Sequence, residues 1–224
     1  MRWLWVVGVV ASLALASACG GGGEKAAPVL SDADLKGIGM LTPEGLPFPL
    51  TLQSDSATSN GEAARAFADP KKWMDNFDSW GRTGGHIATY SSEGGQGTAV
   101  QTQVESYKTV GGAQKALSAV RDFMASPEAL TSFTRQGYSG AKIEIIDAAK
   151  VGDDSVAYRL DVAVDGQPYA TLVILFRRGA VLAQASVGAA PDTTGASDAE
   201  AVANQMDLSI QGILNSQLTT PQAN

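Results

Sequence analysis

The 224-residue sequence predicts an α+β domain built on an antiparallel sheet of about six strands, with amphipathic helices packed mainly on one face. Three observations carry that expectation. Strand-like and helix-like stretches are segregated along the chain, the pattern of α+β rather than alternating α/β architecture. In the carboxy half, strand-like runs are joined by three or four residues, "GDD", "DGQP" and "RRGA". Such links are too short for a parallel crossover, so neighbouring strands pair antiparallel. Elsewhere, apolar residues recur at the three-and-four spacing of a buried helix face.

Taken in order, residues 40–64 mix apolar side chains with Pro43, Pro47 and Pro49, which interrupt regular hydrogen bonding, so this part reads as an extended segment lying along the body. "DPKKWMDNFDSWGR", residues 69–82, places Trp73, Phe77 and Trp80 on one helix face. Asp69 caps that helix, Pro70 suits its first position and Gly81 ends it. The aromatic stripe has two readings, a plug into the core or the wall of a ligand cleft. "GHIATYSS" and "TAVQTQVESYKT" alternate with period two, Val100, Thr102, Val104 and Ser106 against Gln101, Gln103, Glu105 and Tyr107, and form a hairpin across "EGGQG". A helix follows, with Ala113, Ala116, Leu117, Val120, Phe123 and Met124 in register, extended by "PEALTSFTRQGYSG". Four runs between residues 141 and 189 then make a meander. The third, residues 169–176, is almost continuously apolar and predicts a strand covered on both faces. Finally Ser197 and Glu200 stand in capping-box spacing ahead of a stripe formed by Val202, Met206, Ile210, Ile213 and Leu214.

The amino terminus carries an address. One arginine precedes a charge-free apolar run of 16 residues, 3–18. That is short of the roughly 20 needed to span a bilayer and fits the apolar core of a secretory signal. Ala16-Ser17-Ala18 satisfies the small-x-small rule of an ordinary signal peptidase. The same residues before Cys19, the sole cysteine, resemble the lipobox of bacterial lipoproteins over residues 13–20, with Ala16 where that motif usually has leucine and Leu15 one place early. The resemblance implies that Cys19 is acylated and becomes the mature amino terminus, and that palmitate-type chains hold the protein on the extracytoplasmic side of a cell membrane. Two or more chains give lasting attachment where one gives marginal binding. The expected organisation is a signal peptide at 1–18, the lipidated cysteine and a flexible tether at 19–38, one extracytoplasmic domain at 39–216 and a disordered tail at 217–224.

Without residues 1–18 the chain holds 15 Lys and Arg against 23 Asp and Glu, a net charge of −8. An acidic chain without a basic block disfavours nucleic acid as a partner, because that binding rests on neutralised phosphates. Zinc needs several Cys or His ligands, and one of each cannot supply them. Oxygen ligands for calcium could come from Asp153 with Asp154, or Asp161 with Asp165, and Asp153 and Asp154 sit in a turn, where Asp serves local hydrogen bonding. His86, the single histidine, has no nucleophile-elbow serine to partner it and reads as a packing residue. No metal, cofactor or catalytic residue is expected. Arg177 and Arg178, at the end of the most apolar run, are candidates for clamping an anion or for keeping a strand end soluble.

The stretch "GDDSVAYRLDVAVDGQPYATLVILFRRGAVLAQASVGA" resembles a pattern found in secreted or lipid-anchored bacterial proteins of unassigned activity. It covers about 40 residues and implies a small extracytoplasmic domain. The functional expectation is therefore a membrane-anchored lipoprotein whose noncatalytic binding or sensory domain holds a ligand between helices and sheet. Trp73, Phe77, Trp80, Arg177 and Arg178 are its candidate ligand-binding residues. Two alternatives stay open: a carrier of lipid or another hydrophobic molecule, which requires an apolar cavity of several hundred Å³, and a hydrolase, which requires converging carboxylates.

Overall fold

A computed structural model describes residues 26–219 except 45, 47, 66, 68, 93–97, 136, 149, 165, 192 and 194. The signal segment, Cys19, the glycines after it, the "EGGQG" turn and residues 220–224 lie outside the described residues. Among the described residues no helix is long and apolar enough to cross a membrane.

Seven antiparallel strands form one sheet in the order β1-β2-β3-β7-β6-β5-β4. The strands are β1 (Leu50–Thr58), β2 (Arg82–Ser92), β3 (Ala99–Tyr107), β4 (Ser139–Ile146), β5 (Asp154–Val164), β6 (Gln167–Arg178) and β7 (Val181–Ala189). Two meanders, β1 to β3 and β4 to β7, meet where β3 pairs with β7. The seventh strand is β1, in the segment read as merely extended: its prolines precede it, and "LTLQSDSAT" is too polar to announce a strand because as an edge it stays largely exposed.

Helices α2 (Asn60–Ala64), α3 (Pro70–Trp80), α4 (Val110–Met124) and α5 (Pro127–Arg135) belong to one face. α1 (Asp32–Gly39) and the long α6 (Ala196–Thr219) cover the other. α1 lies largely inside the span expected to be tether. Ser31 and Asp34 close a capping box around its start, and Leu35 and Ile38 are buried against the sheet. Two apolar residues in one short turn gave too weak a period to stand out. The last residues of α6 likewise occupy 217–219, where a tail was expected. α6 also begins at Ala196, one residue before the Ser197 expected to cap it, and its Asp198 carboxylate accepts from the Gly195 N–H at 3.4 Å.

α3 forms as its sequence dictates. Asp69 Oδ1 accepts from the Lys72 N–H at 3.1 Å, Pro70 opens the helix, and Gly81 at φ 73° ends it in the left-handed conformation. α4 is then drawn tightly against its end. A Cβ on Gly112 would overlap the carbonyl oxygen of Trp80, so only glycine allows that approach.

The core is split by the sheet into two clusters. On the α1/α6 face, Val202, Ala203, Met206 and Ile210 are fully buried against Ala185, Val187, Ile174 and Phe176. Each large side chain buried in this way contributes about 1.5–3 kcal/mol of transfer free energy. On the other face Tyr158, Leu160, Tyr169 and Val173 fill the space beneath α4 and α5. Burial pushes the Tyr158 and Tyr169 hydroxyls far above their ordinary range. The β1-β2-β3-β7 half of that same face is not filled.

A candidate ligand cleft

A cavity of about 680 Å³ lies between α2, α3 and α4 and the sheet, over β1, β2, β3 and β7. This is within the range of sites for drug-sized ligands. Its roof is apolar. Trp73, Phe77 and Trp80 descend from α3, joined by Phe67, and Ala116 and Val120 come from α4. The rings form one aromatic cluster: Phe67 stacks on Trp73 with centroids 3.9 Å apart, and Trp80 meets Trp73 and Phe77 edge-on at 6.1 Å. Offset and edge-to-face contacts of this kind are the arrangements that aromatic pairs prefer.

The floor is mixed, with Ile87 from β2, Leu175 from β6 and Leu182 from β7 set beside a row of polar side chains. Alternate residues of each strand point upward with period two, so β1 presents Ser54 and Ser56, β2 Thr89, β3 Gln101 and Gln103, and β7 Gln184. Exposure falls across this row. Ser54 and Ser56 at the edge strand are exposed, Gln103 is half-buried, and Thr89, Gln101 and Gln184 are buried, so the cleft opens between β1 and α2 and deepens toward β7. Gln101 is 7% exposed, and its Oε1 has no hydrogen-bond partner among the described residues. A buried amide oxygen left without a donor costs about 1–3 kcal/mol unless something else supplies one.

Charge in the cleft is compensated. Glu105 on β3 and Arg82 on β2 form a buried pair, Nε to Oε1 at 3.2 Å without the alignment of a hydrogen bond. The remaining acceptors of Glu105 are taken by the Tyr107 hydroxyl at 2.7 Å and the Gln103 amide at 3.0 Å. Arg82 donates further to the Thr58 carbonyl and hydroxyl and to Asn60, and its guanidinium sits 5.2 Å over the Phe77 ring. Gly85 gives the guanidinium its room, since a Cβ there would collide with it. Burial, then the neighbouring Glu105 charge, pushes the Tyr107 hydroxyl well above its ordinary range, so it stays a neutral donor. At the mouth Glu62 accepts the Ser59 N–H and hydroxyl at 2.8 and 2.7 Å, which holds its carboxyl below the usual range. Among the described residues no group of three or more His, Cys, Asp and Glu converges as metal ligands would.

The candidate residues fall into two places. Trp73, Phe77 and Trp80 are buried and line the cavity. Arg177 and Arg178 are not among its lining residues. Arg177 Nη1 contacts Asp153 Oδ2 and the Gly179 carbonyl at 3.0 Å. Arg178 reaches Asp207 on α6 at 2.9 and 2.5 Å and Asp153 at 3.1 Å. Asp153 also accepts the Gly179 N–H at 2.8 Å, so the four charges tie the β6-β7 turn to the loop before β5 and to α6. His86 packs on the opposite face beside Asp55, away from the cleft. The floor residues Gln101, Gln103 and Gln184 were not among the candidates. The signal for Gln101 and Gln103 was the amide-rich half of the β3 alternation, which looks like an ordinary solvated strand face until α3 is placed above it.

No protein-family model and no curated protein matches the chain. Among solved structures it is similar to the extracellular domain of PknH from Mycobacterium tuberculosis, at 9% identity and a TM-score of 0.49, over 81% of this chain and 97% of that one.

Proposed function

We propose that the chain is a lipid-anchored, extracytoplasmic binding protein without catalytic activity, tethered through Cys19, whose ligand occupies the cleft under α3. The observation that supports this reading is the cleft itself: a space of about 680 Å³ with an aromatic roof, a floor that mixes amides and hydroxyls with aliphatic side chains, and an open mouth. Its carboxylates are engaged by Arg82, Tyr107, Gln103 and Ser59 rather than aimed as a free acid and base. The carrier reading draws on the apolar roof, since a hydrophobic molecule would be sheltered there; the polar floor favours a ligand with a hydrogen-bonding side.

A neutral fluorescent probe, N-phenyl-1-naphthylamine, tests the cleft. The expected result is saturable enhancement with the wild type and at least a tenfold loss of affinity in Ala116→Phe, whose ring would enter the cavity. Equal binding by the two proteins would refute the cleft as a binding site. Mass spectrometry of the mature protein tests the anchor: an acylated Cys19 after loss of residues 1–18 is expected, and an unmodified chain in the medium would refute it.

A further inference from the structure

We infer that the cleft takes an uncharged saccharide ring, either free or as the headgroup of a glycolipid; this rests on the cleft being the binding site. The argument begins with charge. Of the described lining residues only Glu62, Arg65 and Glu105 are ionic. Glu105 is paired with Arg82, while Glu62 accepts two hydrogen bonds from Ser59 and lies one helical turn from Arg65. The deep half therefore presents no uncommitted charge, and an anionic group placed there would lose its hydration and meet Glu105. The ligand part that enters is neutral.

Shape and polarity then narrow the class. The two walls differ: rings and aliphatic groups from α3 and α4 above, and below a sheet whose amides and hydroxyls, Thr89, Gln101 and Gln103 among them, are set between Ile87, Leu175 and Leu182. A wholly apolar ligand would leave the buried Gln101 Oε1 unanswered, whereas a hydroxyl would donate to it. Successive upward positions on one strand are about 6.8 Å apart and neighbouring strands about 4.8 Å. A grid of donors and acceptors on that scale matches hydroxyls spread around a six-membered ring. The same ring carries its C–H groups on its faces, which lie against an aromatic or aliphatic roof. A molecule with a polar rim and apolar faces satisfies both walls together.

Direct binding of decyl glucoside, decyl galactoside and decyl mannoside below their micelle concentrations, each beside its free sugar and beside decanoate, tests the assignment by tryptophan fluorescence and calorimetry. At least one decyl glycoside should bind tenfold or more tighter than decanoate at pH 7. Binding of the free sugar within about tenfold of its decyl glycoside identifies a saccharide ligand; binding of the decyl form only identifies a glycolipid headgroup. Gln101→Leu, and independently the near-isosteric Thr89→Val, should lower the ratio of glycoside to N-phenyl-1-naphthylamine affinity at least fivefold, with thermal melts establishing that each variant is folded. Decanoate binding as tightly as every glycoside, or both ratios unchanged, overturns the saccharide assignment while the cleft stands if Ala116→Phe still excludes the naphthylamine. Failure of all probes to bind removes the cleft reading and this one together.

Discussion

Strand β3 separates two kinds of interior. Val100, Thr102 and Val104 face α1 and α6 and are fully buried, with the Thr102 hydroxyl donating to the Gly39 carbonyl at 2.6 Å. Gln101, Gln103 and Glu105, interleaved with them on the same nine-residue strand, line a cavity. One backbone thus serves a sealed layer and an open one. The difference lies in what each face is given to pack with. α6 brings Val202, Met206 and Ile210, which are fully buried against the sheet. α3 brings large rings that satisfy one another first. The sealed face supplies cohesion, and the other can keep a void that would otherwise be selected against on packing grounds.

The Arg82–Glu105 pair closes one end of the open layer, and removing half of it gives the largest effect expected in this comparison. Both side chains are almost wholly buried, at 0% and 8% exposure. Arg82→Met should destabilise the domain by about 3–5 kcal/mol in chemical denaturation, because it strands a buried carboxylate. Adding Glu105→Gln should recover most of that loss, since no uncompensated charge is then left. A loss below about 1 kcal/mol in the single variant would show that water reaches the pair and that the cleft is wet to its end.

Next in size is a matched pair of alanines. Ala203 on α6 is fully buried in the sealed layer and Ala116 on α4 borders the cavity. Ala203→Phe should cost about 1–3 kcal/mol or more through overpacking, whereas Ala116→Phe should cost less than about 1 kcal/mol because its ring has somewhere to go. Equal penalties would mean that the cavity collapses in solution and that the two layers do not differ.

These contrasts explain which parts of the molecule were legible in the sequence. Elements with a strong period and their own stop signals were readable: α3 with Asp69, Pro70 and Gly81, the β2-β3 hairpin, and the meander that turns at "RRGA" into β7. β1 was hidden because an edge strand needs little apolar alternation, and α1 because two buried residues make no stripe. Half of the site was legible. The aromatic roof stood out as a stripe, while the amide floor looked like solvent-facing polarity, since its burial depends on where α3 sits and pairwise spacing along β3 carries no trace of that. Arg177 and Arg178 stand in the sequence as a basic doublet at the end of an apolar run. Their partners, Asp153 and Asp207, are 24 and 29 residues away and come together only on folding.

The smallest expected effect belongs to the sealed layer and concerns its one titrating imidazole. His86 is 4% exposed, with Nε2 3.4 Å from Asp55 Oδ2, and Asp55 also holds Lys36 Nζ from α1 at 2.7 Å. Desolvation lowers the His86 pKa below 6.5; the Asp55 charge opposes that shift and Lys36 adds to it. The unfolded chain therefore binds this proton more readily than the folded one. Stability on this account is fully present above pH 6.5 and declines as pH falls from 6.5 toward the lowered folded value. Asp55 acts in a separate window. Its carboxyl is held below 3.8, chiefly by the Lys36 hydrogen bond, so its contribution declines only as pH falls below that. Melting temperature should thus drop between pH 7.5 and 5.5 in the wild type and less steeply in His86→Gln. A wild-type melting temperature that rises on acidification would mean that attraction to Asp55 outweighs desolvation, and that the layer under α1 is more polar than the fully buried Val104 and Ile38 around it imply.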